Sequence, residues 1–176
     1  MDNFDYSGSP LHELSKPGTV LLVLMSNPPT TSGDRTRRRV ALLQELLGIE
    51  HTLTANLFAV PTYRTGGITE AGVDIHGWQA ARPALGEAIA QANAVLLAYG
   101  GQEPSGAARK HFREQVAWAR ATIEERGASV WTVGGRPLHP SRWHRHTHSE
   151  HPDVPFREAL LFAVRPEDRS GGVAAG

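Results

Sequence analysis

The sequence predicts an α/β domain, a three-layer α/β/α arrangement around a short, mostly parallel sheet of four strands. Three observations carry that expectation. Four apolar runs of strand length occur at residues 19–25, 53–58, 94–99 and 129–133. Between them, apolar residues recur at helical spacing. Strands separated by helices run parallel, because a parallel pair needs a crossover connection. Their carboxyl ends then share one sheet edge, where open α/β sheets bind ligands.

Each element has its own signal. Residues 1–17 are polar and punctuated by Pro and Gly, an irregular lead-in to a single domain over 18–166. The first strand closes at Asn27-Pro28-Pro29. Val40, Leu43 and Leu47 mark a helix that starts near Asp34, an apt N-cap, and stops at Gly48. The second run, 53–58, reads as a buried strand ended by Pro61. A loop rich in Gly and Thr follows, long enough to suggest function. Trp78, Ala81, Leu85 and Ile89 draw the next helix, and Phe112, Val116, Ala119 and Ile123 a long one that Gly127 terminates. Residues 134–151 read as a loop rich in histidine, 156–164 fit a short helix or a strand, and 167–176 read as a disordered tail.

Bulk properties narrow the function. A hydrophobic share of 40% and a charged share of 20% suit a globular domain with an ordinary core. There is no cysteine, so disulfides, thiolate nucleophiles and thiolate metal sites are excluded. No run approaches the roughly 20 apolar residues of a membrane span. The acidic start, Met1-Asp2-Asn3-Phe4-Asp5, lacks the basic and apolar regions of a secretory signal, so a cytoplasmic location is expected. The net charge of zero argues against duplex DNA as a partner, since phosphate neutralisation supplies much of that affinity. Local arginines suit a small nucleobase-containing ligand better.

Three residues carry the chemical expectation. Asn27, between a strand and two prolines, can orient a water by accepting its hydrogen bond; a neutral carboxamide cannot take the full proton. That suits early departure of the leaving group, as in dissociative cleavage of a glycosidic bond. Asn56 offers the paired donor and acceptor that read a base edge, with Phe58 and Tyr63 as candidate stacking faces. His139, held between prolines after a Gly-Gly-Arg-Pro turn, can stabilise negative charge on a departing base. Arg37, Arg38 and Arg39, or Arg136, are candidate phosphate holders, and Gly100 and Ser141 complete the expected substrate wall. Each also has a structural role open to it: Asn27 as a turn residue, Asn56 as a partner of loop backbone, Phe58 as core. His144, His146, His148 and His151 invite a metal reading, but no H-E-x-x-H helix is present, so no metal or other cofactor is expected.

The segments Asn27-Pro28-Pro29-Thr30, Asp34-Arg35-Thr36-Arg37-Arg38-Arg39, Asn56-Leu57-Phe58, Tyr99-Gly100 and Gly135-Arg136-Pro137-Leu138-His139-Pro140 resemble, in order, the motifs of the bacterial domain-of-unknown-function family 1643 (DUF1643). That resemblance implies no activity. More distantly, the chain is similar to the uracil-DNA glycosylase superfamily. Its Asn-Pro-Gly motif positions the attacking water, a later Asn reads the base, and some branches have a His-Pro-Ser motif. Pro29 stands where that motif has glycine, and no hydrophobic wedge follows His139-Pro140-Ser141. The resemblance implies a uracil-DNA glycosylase-like fold and an N-glycosidase-like hydrolase acting on a nucleoside, nucleotide or modified nucleobase. The alternatives are a non-catalytic small-molecule-binding module and a metal-dependent hydrolase using the histidine-rich segment.

Overall fold

The structure is a computed structural model that describes residues 8–63 and 67–167. The expected tail from 168 onward, the first seven residues of the lead-in and residues 64–66 of the Gly/Thr loop lie outside the described residues. The rest of the lead-in is more ordered than expected, with a short 3-10 turn at Pro10–Glu13 capped by Ser9.

A five-stranded mixed sheet and six helices make up the described fold. β1 (Val20–Met25) is followed by α1 (Asp34–Leu47), and β2 (His51–Asn56) by the single-turn α2 (Gly67–Ala71) and α3 (His76–Gln91). β3 (Ala94–Leu97), α4 (Gly106–Arg126) and β4 (Ser129–Val133) come next, then α5 (Pro140–Glu150), α6 (Phe156–Ala163) and β5 (Val164–Pro166). The strand order is β2-β1-β3-β4-β5. The first four strands are mutually parallel, and β5 adds to β4 in the antiparallel sense. The expected count of four strands is therefore corrected to five. The 156–164 segment resolves into a helix that passes directly into β5.

Alternation along the strands assigns the helices to faces. Leu21 and Val23 pack with Leu43 and Leu47 of α1, Trp143 of α5 and Leu160 of α6. Leu22 and Leu24 pack on the other face with Trp78, Leu85 and Ile89 of α3 and Phe112 and Ile123 of α4. β2 departs from the expected buried strand. It is an edge strand whose Thr52, Thr54 and Asn56 are in register with Leu21, Val23 and Met25, so they share the face that α1 covers. Its apolar residues, Leu53 and Ala55, join the opposite core.

Two local features set the chain path near the sheet edge. Gln115, fully buried on α4, donates from Nε2 to the carbonyls of Leu57 and Trp78, both at 2.9 Å, and accepts from Arg82 Nε at 3.0 Å. It thereby ties the segment after β2 to α3 and α4. Gly77 lets the Phe58 ring lie against the start of α3, because a Cβ there would stand 2.2 Å from that ring. Asp34 is not the N-cap of α1. Gly33 holds that position with φ +67°, and Asp34 is the first helical residue, hydrogen-bonded by Ser32 and Arg37. No described helix is long and apolar enough to cross a membrane.

Candidate functional site

The carboxyl ends of the four parallel strands open onto a cleft of about 1190 Å³. Its position follows from the crossovers. From β1 the chain moves outward through α1 to β2, whereas from β3 it moves the opposite way through α4 to β4. A crevice forms where neighbouring strands lead off in opposite directions, here between the ends of β1 and β3. Asn27 follows β1 and Gly100 follows β3, so the two flank that crevice. Asn56 ends β2 on one side, and Arg136 and His139 follow β4 on the other. With neighbouring strands ~4.8 Å apart, β1 and β4 stand about 10 Å apart, a span that a nucleoside bridges.

Asn27 is held by hydrogen bonds on both ends of its carboxamide. Its Nδ2 donates to the Pro28 carbonyl at 3.2 Å and to Thr62 Oγ1 at 2.8 Å, and Oδ1 accepts from Ser26 Oγ at 2.9 Å. Because a carbonyl only accepts, the Pro28 contact fixes the amide nitrogen on that side. Both amide hydrogens are then used, while Oδ1 keeps one lone pair for a further donor. Thr62 reaches this position through a bridge between its strand-like segment and Pro29. Asn56 differs: its Oδ1 is buried with no hydrogen-bond partner, and so is Thr52 Oγ1 on the same wall. A buried polar atom without a partner costs roughly 1–3 kcal/mol, so this wall carries unsatisfied hydrogen-bonding capacity.

His139 is the N-cap of α5, with Pro140 at the first helical position. Its Nδ1 accepts from the backbone N–H of Ser141 at 3.3 Å and lies 2.9 Å from Ser141 Oγ. An acceptor Nδ1 places the proton of the neutral ring on Nε2. Burial, and then the positive charge of Arg142, push its pKa below the usual histidine value. The backbone N–H of Gly100 (φ +96°) donates to the Pro137 carbonyl at 2.6 Å and anchors the His139 loop to the end of β3.

The histidine-rich segment is not the expected loop. Residues 140–150 form α5, with Pro140, Trp143 and Thr147 buried along one stripe and Trp143 Nε1 donating to the Leu138 carbonyl at 2.8 Å. An alternating face of histidines therefore does not exist. His144 stacks on His148 with centroids 6.2 Å apart, and also meets Phe156. His146 lies against Gly134, and His151 meets the Phe162 ring. Gly134 (φ +68°) must lack a side chain, because a Cβ would stand 2.1 Å from His146 Nε2. Among the described residues no group of three or more His, Cys, Asp or Glu could hold a metal ion.

The expected site residues divide cleanly. Asn27, Asn56, Tyr63, Gly100, Arg136, His139 and Ser141 all line the cleft, with Tyr63 at its rim and 76% exposed. Phe58 does not: it is fully buried, 4.6 Å from Trp78 between ring centroids, and its expected stacking role is corrected to core packing. Arg38 and Arg39 are likewise outside the lining, and Arg39 instead covers the Phe156 ring at 4.3 Å. Of that run Arg37 alone lines the wall, paired with Asp34. Tyr99, Arg142 and Arg145 also line the cleft. The last two were legible only to a reading that placed 140–150 on a helix.

No curated protein and no solved structure matches this sequence. Residues 11–141 match the family described as Protein of unknown function (DUF1643). The matched region holds Asn27, Asn56, Gly100 and the turn up to Ser141 and covers well over half of the sequence, so the chain belongs to the DUF1643 family.

Proposed function

We propose that the chain is an N-glycosidase-like hydrolase acting on a nucleoside, nucleotide or modified nucleobase, with its water oriented by Asn27. The observation that carries this reading is the fixed carboxamide of Asn27, a residue of the cleft wall, whose donors are used on Pro28 and Thr62 and whose oxygen, accepting from Ser26, retains one lone pair. A water donating to that oxygen is positioned without being deprotonated. Its oxygen bonds to the sugar C1′ as the C1′–N bond breaks, and the bonding electron pair leaves with the base. The water's proton passes to solvent or to the departed base, because a carboxamide cannot keep it. His139 Nε2–H donates to the atom of the base that gains negative charge, and Asn56 reads the base edge through its unpartnered Oδ1. Four parallel strands with helices on both faces support the resemblance to the uracil-DNA glycosylase-like fold.

The test is incubation with a panel of nucleosides, nucleotides and uracil-containing single strands, with chromatography for free base. Release of a base that is lost in Asn27→Ala supports the proposal. No product from any member overturns it. Stabilisation by a panel member without turnover would point instead to a non-catalytic binding module, since ligand at 100 times its dissociation constant adds about 2.7 kcal/mol.

A further inference from the structure

We infer that Arg136, Arg142 and Arg145 form a phosphate subsite, so that the substrate carries a phosphate group on the side of the cleft away from Asn56. The inference deepens the reading of the cleft as base-binding and rests on it for the rest of the substrate. Arg142, Arg145 and Ser149 lie on the cleft side of α5 at helical spacing, and Arg136 projects from the turn after β4. All three arginines are exposed, and among the described residues none of their guanidinium groups has an ion pair or hydrogen-bond partner. Arg37, Arg113, Arg120 and Arg157 are by contrast ion-paired, with Asp34, Glu103, Glu167 and Glu45, while Arg35, Arg38 and Arg165, outside the cleft, share the lack of a side-chain partner among the described residues.

The charge on the cleft walls is correspondingly one-sided. The chain as a whole balances 18 basic against 18 acidic residues. The cleft lining nevertheless includes Arg37, Arg136, Arg142 and Arg145, against Glu150 alone among carboxylates. Glu150, the last residue of α5, sits about 12 Å along the helix from Arg142 and about 7.5 Å from Arg145, with no ion pair to either among the described residues. Unpaired guanidinium groups in a concave wall are suited to phosphate, which they can engage through two parallel N–H donors. The opposite wall has the other character, hydroxyls and amides with unpartnered acceptors at Thr52 and Asn56. A cleft of about 1190 Å³ is larger than a base alone requires. The arrangement fits a molecule with hydrogen-bond donors at one end and phosphate at the other. That phosphate can be the terminal group of a nucleotide or the backbone of a short single strand.

Calorimetric titration with ribose 5-phosphate against ribose tests the subsite without reference to the base. Nucleoside 5′-monophosphates, the matching nucleosides and an eight-residue deoxythymidine strand complete the series. The expected result is binding of ribose 5-phosphate at least tenfold tighter than ribose, with the gain lost in the double variant Arg136→Gln/Arg145→Gln. Both side chains are exposed, so an unchanged melting temperature accompanies that loss. Tighter binding of the monophosphate than of the strand assigns the phosphate to a nucleotide, and the reverse order assigns it to a strand. Equal affinity for ribose and ribose 5-phosphate, together with nucleosides binding as well as nucleotides, overturns the subsite while leaving the base-binding reading intact. Phosphate-dependent binding that no base improves supports the subsite and removes the base-binding reading instead.

Discussion

Replacing Gln115 with Met isolates the one buried polar side chain that ties the segment after β2 to the helices behind it. Met keeps the length of Gln and removes its polar atoms, so the Leu57 and Trp78 carbonyls each lose a 2.9 Å hydrogen bond. The Leu57 carbonyl lies in the buried layer between β2, α3 and α4 and is left without a donor, whereas the Trp78 carbonyl, inside α3, keeps its helical bond from the Arg82 N–H. An unsatisfied buried group costs roughly 1–3 kcal/mol, and burial of the apolar Met side chain offsets part of the total. The net loss should be about 1–3 kcal/mol. Arg82, which loses Gln115 Oε1, retains its place over the Trp118 ring and reaches water, so it adds little. For a chain of this size each kcal/mol shifts the melting temperature by about 2–4 °C, giving a fall of roughly 2–12 °C. Urea unfolding should show a lower midpoint with an unchanged slope. A loss below about 0.5 kcal/mol would refute the assignment of Gln115 as the tie.

The remaining expectations concern the walls of the cleft. Gly77→Ala, with its added methyl 2.2 Å from the Phe58 ring, should destabilise by about 1–3 kcal/mol, and an unchanged unfolding midpoint would contradict the packing described. His139→Ala should lower the rate at saturating substrate by a factor on the order of 100 while affinity changes less; a rate within a few-fold of wild type would reduce His139 to a helix cap. The lowered pKa of His139 means the fold favours the neutral ring. Its contribution to stability is therefore complete above the ordinary value of about 6.5 and is lost as pH falls through the lower folded value. Nitrogen NMR should find the neutral ring protonated on Nε2 and titrating below 6.5, and a pKa at or above that value would contradict the burial of the ring.

Much of the fold was legible because burial and periodicity agree. Leu21 to Leu24 form an unbroken apolar run that only a strand buried on both faces accommodates, and Trp78, Ala81, Leu85 and Ile89 describe one helical stripe. Gly48 and Gly127 end helices in the left-handed conformation, as their positions indicate. α5 was illegible for a physical reason. Its inward stripe consists of Pro140, Trp143 and Thr147, of which only Trp143 is a large apolar residue, and its other positions are occupied mainly by His, Arg and Ser. Tertiary packing under one tryptophan, a proline at the first turn and a histidine cap hold it helical. β5 was missed because Val164–Pro166 is too short to show a period and depends on pairing with β4.

The site was legible residue by residue but not in its arrangement. That Asn27, Asn56 and His139 end or follow strands can be read from where apolar runs stop. Which of them are neighbours depends on strand order, and no local signal encodes that. The order β2-β1-β3-β4 sets Asn56 beside Asn27 and places His139 two strands away from Asn27, with Gly100 between. Under the proposed function, a ligand lying across the edge would meet Asn56 first, then the fixed Asn27, then His139 and the arginines of α5. This sequence of contacts explains why Phe58 cannot serve as a stacking face. In the β2 register Asn56 shares a face with Thr52 and Thr54, on the side of α1. Phe58, two residues past the strand end, turns to the opposite core against Trp78 and Gly77. A stacking partner must instead come from the rim, where Tyr63 stands exposed beside the Thr62 that holds Asn27. Tyr63 and Thr62, which holds the Asn27 amide, are adjacent on one short segment bridged to Pro29, so a displacement of that segment moves the exposed ring and loosens the amide together.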